Sequence, residues 1–124
     1  MRIWKAILFC LLPLAIAGCS TTITNLTPRN FSRNAENMYP VEVVFESNVR
    51  AIHDDTIKPY VQIGDDNYLM RRTRVVRDRW ETLVPIPADK SVVNYRIKID
   101  YLERQGRELL PSSSLSAPYQ IVVK

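Results

Sequence analysis

Ser91-Val92-Val93-Asn94-Tyr95-Arg96-Ile97-Lys98-Ile99-Asp100-Tyr101-Leu102 is the stretch that decides the fold. Val93, Tyr95, Ile97, Ile99 and Tyr101 fall on one side of a two-residue period; Asn94, Arg96, Lys98 and Asp100 fall on the other. Successive side chains of a strand point to opposite faces, so this pattern is a strand with one face buried and one face wet.

Downstream, Gln105-Gly106 marks a turn, and Pro111 to Ser116 reads as a Ser-rich loop with Leu109 and Leu110 tucked under its base. Tyr119 to Val123 reads as a last strand. Upstream, Arg79 to Ile86 carries Trp80, Leu83, Val84 and Ile86, and Pro85 and Pro87 place the end of that strand at a sheet edge because proline donates no ladder hydrogen bond. Ile57 to Ile63 alternates, Gly64-Asp65-Asp66-Asn67 supplies turn chemistry, and Tyr68-Leu69-Met70 resumes, which makes a hairpin. Tyr39, Val41, Val43 and Phe45 alternate with Pro40, Glu42, Val44 and Glu46. The polar stretch before them holds a first edge strand near Thr22–Leu26. The sum is about seven short strands, no helix after residue 20 and no internal repeat, the signature of an all-β sandwich or barrel.

The first twenty residues have a different character. Arg2 and Lys5 precede an uncharged, mostly apolar run from Ala6 to Ala17, about the length of a signal-peptide core and too short for a membrane span. The run ends Ile16-Ala17-Gly18-Cys19, which resembles the lipobox of bacterial lipoproteins: an aliphatic and two small residues before an obligatory Cys. The resemblance implies a signal peptide over 1–18 and diacylglycerol on the Cys19 sulfur, so that acyl chains seat the chain in a lipid bilayer. One acyl chain binds only marginally, whereas two or three hold firmly. Ser20, where an Asp would signal retention, implies the outer membrane rather than the inner, facing the periplasm or the cell surface.

Cleavage before Cys19 leaves about 106 residues, read as a lipidated Cys and polar tether over 19–37 and one sandwich domain over 38–124. Loss of Arg2 and Lys5 lowers the formal charge from +4 to about +2, which is not the composition of a nucleic-acid binder. Cys10 falls in the signal and Cys19 carries lipid, so the domain keeps no thiol and must rest on its core.

Tyr95-Arg96-Ile97-Lys98-Ile99-Asp100-Tyr101 with Gln105-Gly106 is similar to the sixth strand and following loop of fibronectin type III and other immunoglobulin-like (Ig-like) sandwiches. That resemblance implies a core tyrosine at Tyr95 whose hydroxyl returns to backbone upstream, near Thr82–Ile86. The chain departs from the strict immunoglobulin pattern in lacking a Cys pair and in the late position of Trp80.

Chemistry-bearing clusters are few. His53-Asp54-Asp55 reads as a polar loop, since no second His or Cys completes a zinc set. Asp65-Asp66-Asn67 lacks the spaced oxygens of a calcium loop and reads as a turn. No Gly-x-Ser-x-Gly elbow is present, and no metal or other cofactor is expected. The strongest charge feature is Arg71, Arg72, Arg74, Arg77 and Arg79, five arginines in nine residues. They read either as a solvated strand end or as contacts to an anionic partner, lipid or acidic protein. The expectation is a non-enzymatic, membrane-anchored envelope module with a binding, accessory or structural role. A small sandwich subunit of a secretion or pilus assembly, and an envelope enzyme or ligand-binding protein, are the alternatives.

Overall fold

The alternation becomes pairing in the computed structural model, which describes residues 21–124; the expected signal peptide over 1–18 and Cys19 lie outside the described residues. The strands are β1 (Thr21–Asn25), β2 (Asn30–Phe31), β3 (Met38–Ser47), β4 (Lys58–Ile63), β5 (Asp66–Leu69), β6 (Arg71–Arg72), β7 (Arg79–Pro85), β8 (Val92–Gln105), β9 (Glu108–Leu115) and β10 (Tyr119–Val123). One sheet has the order β1-β3-β7-β6 and the other β2-β10-β8-β4-β5, with β9 also on β8. β10 pairs with Val92–Tyr95 and β9 with Lys98–Gln105. Both lie on the edge of β8 that β4 leaves free, so β9 and β10 are one long strand broken at Ser116–Pro118.

Taking β1, β3, β4, β5, β6, β7, β8 and β10 as A, B, C, C′, D, E, F and G, the sheets are A-B-E-D and G-F-C-C′. That is the immunoglobulin-like arrangement. Two sheets facing one another bury their alternate residues between them. Val41, Val43, Val61, Val84, Ile97, Ile99 and Ile121 are fully buried, and no charged or polar residue among the described ones joins them. Burying each such side chain stabilises the fold by about 1.5–3 kcal/mol, which is how a domain without a disulfide holds its sheets together. Trp80 sits opposite Val43 and Arg72, and the Arg72 guanidinium lies 4.4 Å from the centre of its ring as a lid on that end of the core.

The strand count exceeds the seven expected, because two-residue strands such as β2 and β6 are too short to carry a pattern. The larger correction is at 111–116: this Ser-rich segment is not a loop but most of β9, and Leu109 and Leu110 are exposed rather than tucked away. Its inward positions carry serine. Ser114 Oγ meets Tyr101 Oη at 3.2 Å, and the Ile97 amide donates to Ser116 Oγ at 2.8 Å, so hydroxyls do the work that aliphatic groups do elsewhere.

The Tyr95 hydroxyl is a second correction. The ring is buried, but the hydroxyl accepts from Asn25 Nδ2 at 2.7 Å, on β1, and not from the backbone near Thr82–Ile86. Burial pushes its pKa above 10.0 against the lowering effect of this bond. Residues 21–37 are thus built into the sandwich: β1 pairs with β3, and β2 runs parallel to β10. Arg33 donates to the carbonyls of Ile86, Pro87 and Lys90, pinning the β7–β8 connection.

Candidate interaction surface

The outer face of the second sheet is ordered by its register. Leu69, Tyr60, Lys98 and Leu115 form one row across β5, β4, β8 and β9; Lys58, Asp100 and Ser113 form the next; Leu102 and Pro111 follow. Leu69 and Leu115 are 57% and 53% exposed, so the row has apolar ends around a half-buried tyrosine and a lysine. Lys98 and Asp100 form an exposed ion pair at 3.7 Å, worth little in stability. Between these rows and the β3–β4 connection lies an open trough of about 750 Å³, lined by Asp55, Thr56, Lys58, Tyr60, Asp100 and Ser113 among others.

This face ends at an open strand edge. Ser116 N–H donates to the Ile97 carbonyl at 2.9 Å. Backbone groups of an antiparallel strand alternate in direction, so Ser114, Ser112, Leu110 and Glu108 also bond β8. Leu109, Pro111, Ser113 and Leu115 aim their carbonyls, and their amides where they have one, away from the sheet. β2 covers only the far end of that edge, at Val122 and Val123. From Leu109 to Ser116 there is no charged residue, and Pro111 is the sole guard, removing one outward donor.

The five arginines differ in their contacts. Arg72 stacks on Trp80 and pairs with Asp54 at 3.2 Å, and Arg79 pairs with Glu42 across the outer face of the first sheet. Those two are structural. Arg71 faces Glu81 in the β6–β7 register without forming an ion pair. Arg74 and Arg77 are exposed on the loop between β6 and β7, where neither forms an ion pair or hydrogen bond with the described residues. Between them Val75 is 94% exposed. Thr73 fixes the loop's base: its amide donates to the Arg79 carbonyl at 2.9 Å and its hydroxyl to the Val76 carbonyl at 3.1 Å.

His53 and its neighbours are structural too. The His53 amide donates to the Leu102 carbonyl, Asp54–Thr56 form a single 3-10 turn, and Thr56 Oγ1 accepts from the Leu102 amide at 2.9 Å. Asp65 lies in the tight β4–β5 turn behind Gly64, whose positive φ of 58° suits the first position of a II′ hairpin. No group of three His, Cys, Asp or Glu among the described residues could hold a metal ion. The open β9 edge is what sequence reasoning missed. Its signal was present as an uncharged seven-residue stretch from Leu109 to Leu115 with leucine at both ends, but the inward serines hid the strand period.

No family model matches the chain, and no curated protein matches it. Among solved structures, one of murine CRIg is similar over 85% of this chain and 98% of that chain, at 10% identity and a TM-score of 0.47.

Proposed function

We propose that this protein is a non-enzymatic module of a bacterial cell envelope, held to a membrane by acyl chains on Cys19, and that it binds a protein partner along β9 and the adjoining outer face. The observation that carries this reading is the edge from Leu109 to Leu115, whose outward backbone groups lack neighbours among the described residues. Such an edge accepts an added strand: main-chain hydrogen bonds supply affinity, and alternate side chains supply selectivity. The partner that fits is an extended segment with apolar side chains to lie over Leu115 and Pro111. An accessory subunit of a larger envelope assembly is one setting for such an edge.

Photo-crosslinking residues at Ser113 and Leu115, in the full chain expressed in a lipoprotein-competent bacterium, test this. A discrete adduct from both positions, absent from a control at Asp89 and lost in Pro40-side controls on the first sheet, is expected. Adducts from the control positions alone would place the binding surface elsewhere.

A further inference from the structure

Two protruding tips lie at the end of the sandwich where the chain enters. β1 begins at Thr21 opposite Ser47, the last residue of β3. Phe45 N–H, on the same end of β3, donates to the Asp78 carbonyl at 2.9 Å and so fixes the β6–β7 loop there. The β8–β9 hairpin joins them: Arg104 N–H donates to the Ala51 carbonyl at 2.7 Å, and Ile52 bridges to Glu103. Cys19 precedes Thr21 by two residues, so the chain allows it at most about 7 Å of further reach.

Both tips are cationic. The loop 73–78 reads Thr-Arg-Val-Val-Arg-Asp and residues 104–108 read Arg-Gln-Gly-Arg-Glu, so each tip carries two arginines and one carboxylate at its edge. The carboxylates at this end are Glu46, Asp54, Asp55, Asp78, Glu103 and Glu108, set behind or beside the tips, and Asp54 is taken by Arg72. The hairpin tip at the opposite end, Gly64-Asp65-Asp66, is acidic. Val75, 94% exposed between Arg74 and Arg77, is an apolar group that no fold contact explains.

We propose that this end is seated on the anionic head groups of the bilayer that holds Cys19, with Arg74, Arg77 and Arg107 against lipid phosphates and Val75 entering the head-group boundary. The proposal rests on the anchoring of Cys19 and adds an orientation to it. Anchorage holds the tips beside the surface, arginine pairs bidentately with phosphate, and an apolar side chain flanked by cations suits the interface. The strand axes then rise from the membrane, and the β9 edge stays open along its length.

The full chain, expressed in a lipoprotein-competent bacterium and purified from membranes, is reconstituted in phosphatidylcholine vesicles with or without 30% phosphatidylglycerol. A genetically encoded coumarin residue replaces Val75 or, at the far end, Asp89, and a nitroxide-labelled phospholipid quenches reporters that reach the bilayer. Mass spectrometry reads the acyl chains on Cys19 separately. Quenching at position 75 and not at 89, dependent on phosphatidylglycerol and reversed by high salt, is expected. Each arginine lost should lower the seated fraction's ratio to the free one about fivefold, so the triple Arg74→Gln, Arg77→Gln, Arg107→Gln variant should release the reporter. Acylated Cys19 with position 75 unquenched, or quenched equally with and without phosphatidylglycerol, overturns the seating alone. An unacylated Cys19 overturns the anchoring and the seating with it.

Discussion

Replacing Tyr95 with Phe removes one oxygen from the junction of the two sheets and leaves the rest in place. The ring is 3% exposed, and its contact with Tyr119, 5.6 Å between centroids, survives the change. What goes is the bond from Asn25 Nδ2, which ties β1 in one sheet to β8 in the other. A neutral hydrogen bond contributes about 0.5–1.5 kcal/mol net. Asn25 is only half-buried and can turn to water, so the expected loss is about 1 kcal/mol, or roughly 4–8 °C in Tm for a domain of this size. Urea unfolding should show a lower midpoint at unchanged slope. Asn25→Ala costs this bond and also the Thr27 amide's bond to Asn25 Oδ1 at 3.1 Å, so it should destabilise more. The double variant should then fall short of the sum of the singles by about 0.5–1.5 kcal/mol, the coupling of one bond counted once. Tyr95 also gives the wild type an alkaline signature. Its folded pKa lies above its unfolded value of 10.0, so the unfolded chain loses the proton first and stability falls as pH rises from 10.0 toward the folded pKa. Tyr95→Phe should flatten that fall. Additive singles in the cycle, with an unchanged alkaline slope, would refute the bond as the link between the sheets.

Other substitutions separate structural from available groups. Arg72→Gln, losing the ring stacking and the Asp54 pair, should cost about 0.5–1.5 kcal/mol, whereas Arg74→Gln and Arg77→Gln should stay within about 0.5 kcal/mol; equal losses in thermal melts would contradict the division. Pro111→Thr restores an outward amide on β9 and should raise self-association in sedimentation measurements, and an unchanged monomer would argue that the edge is already covered. Ile97→Ala, at a fully buried site, should destabilise by about 2–5 kcal/mol in denaturant, and a loss under 1 kcal/mol would mean the inter-sheet space collapses freely. Cys19→Ala should move the chain from the detergent phase to the aqueous phase on fractionation, and a variant that stays in the detergent phase would remove the lipobox reading.

How much of this was legible beforehand depended on how each element is made. β3, β4, β7 and β8 alternate aliphatic or aromatic with polar residues because one face of each is buried, and that alternation is visible in the chain. β9 was invisible for the opposite reason: its inward positions include Ser112 and Ser114, with Ser116 just beyond its end, so polarity does not alternate; the Ser114 hydroxyl meets that of Tyr101, and the Ser116 hydroxyl accepts from the Ile97 amide. The arginine run left two readings open, a solvated strand end and contacts to an anionic partner, because adjacency does not say which side chains pair: Arg72 goes onto Trp80 and Arg79 onto Glu42, and Arg74 and Arg77 are left to the loop. Tyr95 was correctly expected in the core; its partner was not, since the register that brings Asn25 beneath it depends on contacts 70 residues apart.

The direction of β1 has a mechanical consequence. Its first residue lies at the end where the chain arrives, so a pull on the preceding segment, away from the domain, runs along the strand. The hydrogen bonds to β3 stand perpendicular to that line. The rungs from Thr21–Ser47 to Asn25–Val43 therefore carry the load together, as a lap joint does in shear. Run the other way, the strand would open rung by rung like a zipper under the same tension. Yielding is then governed by the rate of crossing a single shared barrier rather than by the equilibrium stability of the sandwich.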